Sequence, residues 1–316
     1  MLAPVVAGAG LGWAALALSP LLVIAVPGWA VALVGAGALG LVALVAHGVL
    51  QGYLPVPATA VAATNLVGRR GTPALWLVAH LDSKSQGVSL RGRVVAVANA
   101  MLGLTGLLIL LAFRVSGPVP WWAALVVTAL AVVGGGALSL GAPRNRSPGA
   151  VDNATGVVAV IAAAECLDHR RDVGVLLTGA EEFGMEGARS WAASGDAIGA
   201  FINFDGIDSR GRYRLQRHAA AREAEPVPSS HAIVRAVAAA LSAEGRPVVV
   251  RPLPLGTFVD GAVLAQAGMP GVTVSRGDWA TLGVVHTERD AADRVDVAAA
   301  VQAGAAAARA VDTLLG

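Results

Sequence analysis

The sequence has one cysteine and few charged residues, and each shortage narrows the possible functions. Because Cys166 is the single cysteine, an intrachain disulfide framework is excluded and a reducing compartment is favoured. The net charge is only +2 and no basic patch is interleaved with aromatic residues, so nothing indicates nucleic-acid binding. Charged residues make up 14% of the chain and hydrophobic residues 55%, with a mean hydropathy of +0.66. This composition is too apolar for an ordinary soluble protein and indicates membrane spans.

Lysine and arginine are missing before Arg69, and the N-terminal region is almost uncharged. Two apolar stretches, residues 3–25 and 29–50, are separated at Pro27-Gly28. Each has about the 20 residues that a bilayer-spanning helix needs. A secretory signal peptide would require a positively charged N-terminal region, which this sequence does not have. Residues 1–52 are therefore predicted to form a transmembrane helical hairpin.

A second pair of long apolar runs interrupts the more polar part of the chain. The runs cover residues 94–113 and 119–140, and a short segment joins them. Two buried core helices are the alternative interpretation, but runs this long and this free of charge favour lipid. The sequence therefore predicts a second transmembrane hairpin over residues 93–141, inserted into a soluble domain. Together the two hairpins give four expected transmembrane helices.

The remaining segments, residues 53–92 and 142–316, have the pattern of a soluble α/β domain. Short apolar runs typical of buried strands alternate with helical segments along these residues. Strands that alternate with helices favour a largely parallel sheet with helices on both faces. Residues 206–228 and 252–258 are expected to be loops that contribute to substrate specificity.

Two adjacent acids, Glu181 and Glu182, follow an apolar run at residues 173–177 that is typical of a buried strand. In open α/β sheets, ligands bind at the carboxyl ends of the strands. Neighbouring carboxylates repel each other unless a positive charge lies beside them, and a metal ion would supply that charge. In isolation, a solvated loop with two acids is the simpler interpretation.

Four further motifs place imidazole and carboxylate groups mostly at predicted strand ends. They are His80-Leu81-Asp82, residues 149–156 with Asp152, Asn203-Phe204-Asp205, and Val285-His286-Thr287. Two histidines and several carboxylates suit Zn²⁺, which binds nitrogen and oxygen ligands. Two metal ions a few ångströms apart need one bridging carboxylate and separate ligands on each ion. The motifs together provide such a set of ligands. The combined set therefore favours a metal site, although each motif alone would be a weak signal.

This set of motifs resembles the di-zinc aminopeptidase family, whose wider superfamily includes glutaminyl cyclases and glutamate carboxypeptidases. The resemblance covers residues 59–92 and 142–316, so the apolar hairpins lie outside it. It implies a three-layer α/β/α domain with a central mixed, mostly parallel sheet, two zinc ions and a peptide substrate. Another divalent metal could take the place of zinc, because geometry and availability decide which metal binds. The zinc ligands that it implies are Asp152 as the bridge, His80 and Asp205 on one ion, and Glu182 and His286 on the other.

The same resemblance gives catalytic roles to two further residues. Asp82 would orient His80 and fix its tautomer. Glu181 would be the general base, which takes a proton from a metal-bridging water and later delivers it to the leaving amine. The sequence departs from the family between Asp82 and Asp152, where relatives have a short loop and this chain has the second apolar hairpin. The resemblance therefore implies a metal site close to the bilayer surface.

The distribution of positive charge predicts on which side of the membrane the catalytic domain lies. Four spans would leave both termini and this domain on one side, and the opposite side would have only Arg114 near the span ends. The positive residues on the domain side are Arg69, Arg70, Lys84, Arg91, Arg93, Arg144 and Arg146. The positive-inside rule then predicts a multi-pass integral membrane protein with a cytoplasmic catalytic domain.

Three functions are compatible with these motifs. The first is a membrane-anchored di-zinc metallopeptidase, an aminopeptidase that hydrolyses N-terminal residues from peptides. The second is related amide chemistry on the same zinc scaffold, such as cyclisation of an N-terminal glutamine or deacylation of a small amide. The third is a non-catalytic membrane receptor or scaffold that has kept the fold. Relatives of the third kind usually lose metal ligands, and all the implied ligands are present here, so the peptidase is the leading hypothesis.

Overall fold

The computed structural model describes residues 62–218, 228–253 and 257–316, together with 3–23, 27–30 and scattered positions between 33 and 44. The chain divides into two units. One unit consists of Met1–Thr59 and Gln86–Arg144, and the other of Ala60–Ser85 and Asn145–Gly316. The second unit contains the large sheet, and the first contains two long apolar helices.

The strands of the described residues form one large sheet and one short pair. Their bounds are β1 Leu66–Arg69, β2 Leu75–His80, β3 Ser85–Gln86, β4 Pro143–Arg144, β5 Val173–Thr178, β6 Ala200–Ile207, β7 Arg212–His218, β8 Val248–Pro252 and β9 Gly271–Gly277. The large sheet has seven strands in the order β1-β5-β2-β6-β9-β7-β8, and β3 pairs with β4. β1 runs antiparallel to β5 and β7 runs antiparallel to β9, while the other four pairings are parallel. The sheet is therefore mixed and mostly parallel, which confirms the expectation.

Helices cover both faces of this sheet. The described helices are α1 Ala3–Leu18, α2 Pro20–Val23, α3 Leu90–Arg114, α4 Trp121–Ser139, α5 Thr155–Cys166, α6 Glu186–Ala193, α7 Ser230–Ala243, α8 Asp260–Gln266 and α9 Ala298–Leu315. Apolar residues of α5, α7 and α9 pack on one face of the sheet, and those of α6 and α8 pack on the other. The second unit thus has the three layers that the sequence predicted.

The central strand β2 shows how the sequence builds both layers. Successive side chains of a strand point to opposite faces. Leu75 and Leu77 accordingly join the core with α5, α7 and α9, whereas Trp76 and Val78 join the core with α6 and α8. All six residues of β2 are buried, because β5 and β6 flank the strand and helices cover both of its faces.

The alanine-rich composition of α9 follows from its close approach to α5. A Cβ atom at Gly304 would lie only 2.3 Å from the carbonyl oxygen of Ala159. Ala303 and Ala307 are buried along the same helix. Small side chains at these positions let the two helices pack tightly over the sheet.

The expectation of a loop over residues 206–228 is wrong for Arg212–His218, which forms β7 between β8 and β9. Tyr213 and Leu215 point into the core, and the residue between them, Arg214, lies on the other face. Two apolar residues among arginines give too short an alternation for a strand to be recognised from the sequence. Parts of both predicted specificity loops lie outside the described residues, namely 219–227 and 254–256.

The two long apolar helices α3 and α4 run antiparallel and approach each other at glycines. A Cβ atom at Gly103 would lie 2.3 Å from the backbone nitrogen of Ala131. A Cβ atom at Gly134 would lie 2.4 Å from the backbone nitrogen of Ala100. The two backbones can come this close only because these positions carry no side chain.

The expected number of transmembrane helices needs correction. Among the described residues, two helices are long and apolar enough to cross a membrane, α3 and α4, rather than four. The first predicted span, residues 3–25, is interrupted at Ser19 before Pro20 and gives α1 of 16 residues and the short α2. Proline lacks the N–H that would continue the helix ladder. Most of the second predicted span, residues 29–50, lies outside the described residues.

Candidate metal centre

The carboxyl ends of four parallel strands meet at one edge of the sheet, and the polar motifs lie at this edge. β2 ends at His80, β5 ends shortly before Glu182, and β6 carries Asp205 near its end. β5, β2, β6 and β9 all run in the same direction, so these side chains converge. The turn before α5 adds Asp152, and the loop after β9 adds His286.

The structure brings the five predicted ligands together in two overlapping groups. His80, Asp152 and Asp205 form one group, and Asp152, Glu182 and His286 form the other. Within each group the candidate ligand atoms all lie within 4.8 Å of one another. The residue common to both groups is Asp152, which the resemblance implies to be the bridge between two ions.

Asp152 approaches one histidine with each of its carboxylate oxygens. Its Oδ1 lies 3.1 Å from Nε2 of His80, and its Oδ2 lies 3.0 Å from Nε2 of His286. Nε2 of His286 is also 3.1 Å from Oε1 of Glu182. Two ligand atoms bound to one tetrahedral zinc ion at about 2.05 Å would be about 3.3 Å apart, so these separations suit shared cations.

The orientation of His80 is set by its neighbour Asp82, but through the backbone. Nδ1 of His80 lies 2.9 Å from the carbonyl oxygen of Asp82, whereas the carboxylate oxygen Oδ1 of Asp82 is 3.7 Å away. An Nδ1–H group that donates to this carbonyl leaves the lone pair of Nε2 directed at Asp152. A lone pair and a carboxylate oxygen that face each other repel, so this contact needs either a proton or a metal ion between the two atoms.

The carboxylate of Asp82 holds the two adjacent acids in place. Its Oδ1 accepts a hydrogen bond from the backbone N–H of Glu181 and its Oδ2 from that of Glu182, both at 3.0 Å. Burial raises the pKa of Asp82, but His80 and these two N–H groups lower it further, so the pKa lies below its ordinary value. Asp82 therefore remains a carboxylate and fixes the backbone that carries both acids.

Asp290 connects the loop of His286 to the backbone of Asp152. Its buried carboxylate accepts hydrogen bonds from the N–H of Val151 at 2.7 Å and from the N–H of Asp152 at 3.2 Å. The carbonyl oxygen of Asp290 also accepts a hydrogen bond from Ala150 at 3.1 Å. Two ligands that are far apart in the chain are thereby held by one short segment.

Asn153 connects the same turn to the strand that carries Asp205. Its side-chain amide donates to the carbonyl oxygen of Phe204 at 2.9 Å, and its Oδ1 accepts from the N–H of Gly206 at 3.1 Å. The two bonds therefore hold the residues immediately before and after Asp205. The side chain of Asn153 consequently fixes the spacing between Asp152 and Asp205.

Backbone conformation at the site is unusual. Ala180, directly before Glu181, has φ +54°, and His286 itself has φ +63°. Residues other than glycine rarely adopt positive φ, and such residues concentrate at functional sites. Here one of the two residues is a predicted ligand, and the other directly precedes the predicted base.

The electrostatics of the site indicate a shortage of positive charge. Burial raises the pKa of Glu181 well above its ordinary value, and it raises the pKa of Asp205 to about 7. Burial lowers the pKa of His286, but the contacts with Asp152 and Glu182 raise it to about 9. A divalent cation would stabilise these carboxylates in their charged form.

Lys84 belongs to the site, although the sequence analysis assigned it only to the membrane charge pattern. Its Nζ forms an ion pair with Oε2 of Glu182 and donates to the carbonyl oxygen of Glu182 at 3.4 Å. Lys84 is the only lysine of the chain and lies two residues after Asp82. That isolation in the sequence was the signal that could have identified it.

Asp260, the first residue of α8, is another residue that sequence reasoning missed. It is 1% exposed, its Oδ2 accepts a hydrogen bond from the hydroxyl of Thr178, and burial raises its pKa to about 6. Its charge contributes to the raised pKa of both Glu181 and Asp205. An acid at the start of an apolar helix usually serves the helix itself, so the sequence alone gave no reason to place it here.

The residues of the site offer the kinds of ligand atom that zinc binds. Oε1 of Glu182 is buried without a hydrogen-bond partner in the described part of the chain, and it lies 3.1 Å from Nε2 of His286. The two groups offer imidazole nitrogen and carboxylate oxygen, which are typical zinc ligands. All seven residues that the sequence analysis named for the site lie at this edge of the sheet, counting Glu181 and Asp82 with the five ligands.

Comparison of the sequence with known protein families identifies one that matches. The sequence model of peptidase family M28 matches residues 131–311, which is more than half of the chain. No protein of curated function matches the chain.

Several solved structures are similar to this chain. The zinc aminopeptidase BSAP from Bacillus subtilis is 17% identical, with a TM-score of 0.49, over 79% of this chain and 49% of that chain. An aminopeptidase from Aneurinibacillus sp. strain AM-1 is 14% identical, with a TM-score of 0.47, over 78% of this chain and 46% of that chain. A peptidase M28 precursor from Shewanella amazonensis SB2B is 17% identical, with a TM-score of 0.45, over 78% of this chain and 43% of that chain. The chain spans less than half the length of these three structures.

Proposed function

The chain belongs to peptidase family M28, and we propose that it is a membrane-anchored di-zinc aminopeptidase that removes N-terminal residues from peptides. The observation that carries this proposal is the pair of ligand groups that share Asp152. A non-catalytic receptor or scaffold would have no use for two complete ligand groups and a buried acid, Glu181, beside them.

In this proposal, each ligand group holds one zinc ion. His80 and Asp205 would hold the first ion, Glu182 and His286 would hold the second, and Asp152 belongs to both groups. Bound zinc supplies a Lewis acid that polarises the scissile carbonyl group and lowers the pKa of water. The protein contributes ligands whose positions are fixed by backbone hydrogen bonds.

Glu181 is the proposed general base. It is 7% exposed, and its backbone is fixed by the carboxylate of Asp82. Its raised pKa, caused mainly by burial, suits a group that exchanges protons near neutral pH. Its carboxylate takes a proton from the attacking water, whose oxygen bonds to the carbonyl carbon. The same proton then passes to the amine nitrogen as the C–N bond breaks.

The test of the base is the substitution Glu181→Gln, which keeps the size of the side chain and removes its basicity. We expect zinc content to stay at the wild-type level and turnover to fall by about 10² to 10⁴. Glu186→Gln is the matched control, because Glu186 is exposed at the start of the helix that follows. Near-normal turnover in the Glu181→Gln variant would remove Glu181 from this role.

A panel of peptides tests the aminopeptidase assignment. We expect peptides with a free N-terminus to lose their first residue and N-acetylated copies to resist cleavage. A chelator should abolish the cleavage of the free peptides. Equal cleavage of acetylated peptides would indicate a different amide hydrolase. Loss of ammonia from an N-terminal glutamine without hydrolysis would indicate a cyclase.

The proposed membrane anchor is the hairpin of α3 and α4. In the most apolar 18-residue stretch of each helix, only 33% of α3 and 28% of α4 is buried. Large apolar side chains point outward along both helices, among them Leu102, Phe113, Trp121, Leu125 and Val133, each at least 60% exposed. An apolar surface of this extent in water favours association, whereas lipid would cover it.

We propose that the start of α3 and the end of α4 face the cytoplasm. The unit that contains the large sheet and the metal ligands would then also be cytoplasmic. Arg91 and Arg93 lie at the start of α3 and Arg144 lies after α4, whereas Arg114 is the only charged residue near the turn between the helices. The positive-inside rule then gives this orientation.

The orientation is tested by cysteine labelling at the turn. Ser116→Cys in a Cys166→Ser background provides one labelled position, since Cys166 itself is exposed. We expect a membrane-impermeant thiol reagent to label right-side-out vesicles. Labelling restricted to inside-out vesicles would show the opposite orientation.

A further inference from the structure

Two arginines, Arg214 and Arg251, lie next to each other on one face of the sheet. Gln216 of β7 pairs in register with Arg251 of β8, and Arg214 lies two residues before Gln216. Residues two apart in a strand share a face, so the two arginines are diagonal neighbours. Within the described residues, no carboxylate forms an ion pair with either guanidinium group.

Such an arrangement is unfavourable without an anion. Both arginines are partly buried, and burial together with the charge of Arg251 lowers the pKa of Arg214. Nε of Arg251 is buried without a hydrogen-bond partner in the described chain. The carboxylate that attracts Arg214, that of Asp278, accepts hydrogen bonds from its own turn, including the N–H of Thr281 at 3.0 Å. Buried charged groups are normally paired.

The arginine pair lies on the same face of the sheet as the ligand Asp205. Phe204 of β6, Val274 of β9 and Leu215 of β7 form one row of paired residues across three strands. β7 runs against the other two strands, so the residue before Leu215 and the residue after Phe204 lie toward the same edge. These residues are Arg214 and Asp205. Arg214 projects from the face opposite to the row. The pairing of β6 with β9 is irregular after Phe204, and the ligand group with His80 and Asp152 gives the position of Asp205.

The distance between Asp205 and Arg214 matches the length of a short extended peptide. Neighbouring strands are about 4.8 Å apart, so two strand spacings separate Asp205 from Arg214 by roughly 10 Å. An extended peptide covers at most about 3.3 to 3.6 Å per residue. A substrate whose scissile bond lies at the metal ligands therefore reaches the arginines within about three residues.

We propose that Arg214 and Arg251 bind a carboxylate of the substrate, so that the protein prefers short peptides with a free C-terminal carboxylate. The guanidinium group is planar and binds a carboxylate through two parallel hydrogen bonds. The bound carboxylate gives Nε of Arg251 its missing acceptor. The inference rests on the proposed function, because it takes a peptide as the substrate. An acidic side chain in the same part of the peptide offers the same chemistry.

The test measures binding rather than turnover, so that it is separate from the test of peptidase activity. Three tripeptides are titrated calorimetrically into the zinc-loaded full chain carrying Glu181→Gln: one with a free C-terminus, its C-terminal amide, and an amide with glutamate at the third position. We expect the free carboxylate to bind about 10-fold more tightly than the plain amide. Preference for the glutamate peptide over both others would place the carboxylate on a side chain.

Arg214→Gln and, independently, Arg251→Gln should remove this preference. Arg217→Gln is the matched control, because Arg217 lies on the same strand and contacts His231 of α7 instead. Both variants should fold at least as stably as the parent, since each relieves repulsion between the two arginines. Equal or undetectable binding of all three peptides, or a preference that survives both substitutions, would overturn the proposal.

Discussion

Asp290 is the residue whose substitution most directly tests how the site is held together. Its carboxylate is fully buried and accepts hydrogen bonds from the N–H groups of Val151 and Asp152, at 2.7 and 3.2 Å. Asp290→Asn keeps the size of the side chain. An asparagine has one carbonyl oxygen, so one of the two N–H groups would face an NH₂ group instead of an acceptor.

The expected loss follows from these two bonds. A hydrogen bond to a charged group contributes about 1.5 to 3 kcal/mol, and leaving a buried donor unpaired costs a similar amount. The affected N–H groups belong to the backbone of Asp152 and its neighbour, and Asp152 is the residue common to both ligand groups. We therefore expect zinc affinity to fall by about 10- to 100-fold, as is typical when the supports of metal ligands are removed.

Zinc affinity is measured by competition with a chromophoric chelator, and folding by thermal unfolding of the metal-free protein. Asp293→Asn is the control, because Asp293 lies in the same segment and is exposed. Zinc affinity equal to that of the control would refute the argument that Asp290 positions Asp152. A loss of stability alone, with zinc affinity unchanged, would show that the contact serves the fold only.

Three further predictions concern other parts of the chain. Lys84→Met should raise zinc affinity by about 10-fold or more, because the ammonium group beside Glu182 repels a divalent cation; weaker binding by chelator competition would contradict this. Gly134→Ala should lower the thermal stability of the detergent-solubilised protein by about 1 to 3 kcal/mol, because the added Cβ meets the backbone of α3. Gly136→Ala should not, since its Cβ has nothing within 4 Å. Burial lowers the pKa of His218 from 6.5 to about 4, so the unfolded chain takes up a proton that the folded chain excludes. Stability should therefore fall by about 2 kcal/mol between pH 7 and pH 4.5 through this residue, and His218→Gln should lack that component in denaturant unfolding.

The positions of the ligands could be predicted because they depend on strand direction. Parallel strands bring their carboxyl ends to one edge, so His80 and Asp205 were expected to meet there. The same reasoning placed Glu182 after β5. Asp152 and His286 lie on turns and loops, and their positions came only from the family resemblance.

The contacts around the ligands could not be predicted, because they depend on the path of the loops. Asp82 was expected to contact His80 with its carboxylate, but its carbonyl oxygen is the closer partner and its carboxylate binds the backbone of Glu181 and Glu182. Lys84 and Asp260 join the site through folding alone. A spacing in the sequence gives no information about such contacts.

The sheet was predicted least well at β7. The alternation of Tyr213 and Leu215 is short, and arginines surround it, so the strand resembled a polar loop. The strand is nevertheless stable because β9 and β8 pair with both of its edges. β7 is a strand because it pairs with β8 and β9, and this pairing cannot be recognised in the sequence.

The central claim is that residues far apart in the chain hold two zinc ions around Asp152. The most direct measurement is an anomalous difference map at the zinc absorption edge from crystals of the zinc-loaded protein. We predict two peaks about 3.5 to 4 Å apart, one beside His80 and Asp205 and the other beside Glu182 and His286. Zinc bound elsewhere on the protein, with no peak beside Asp152, would contradict the account.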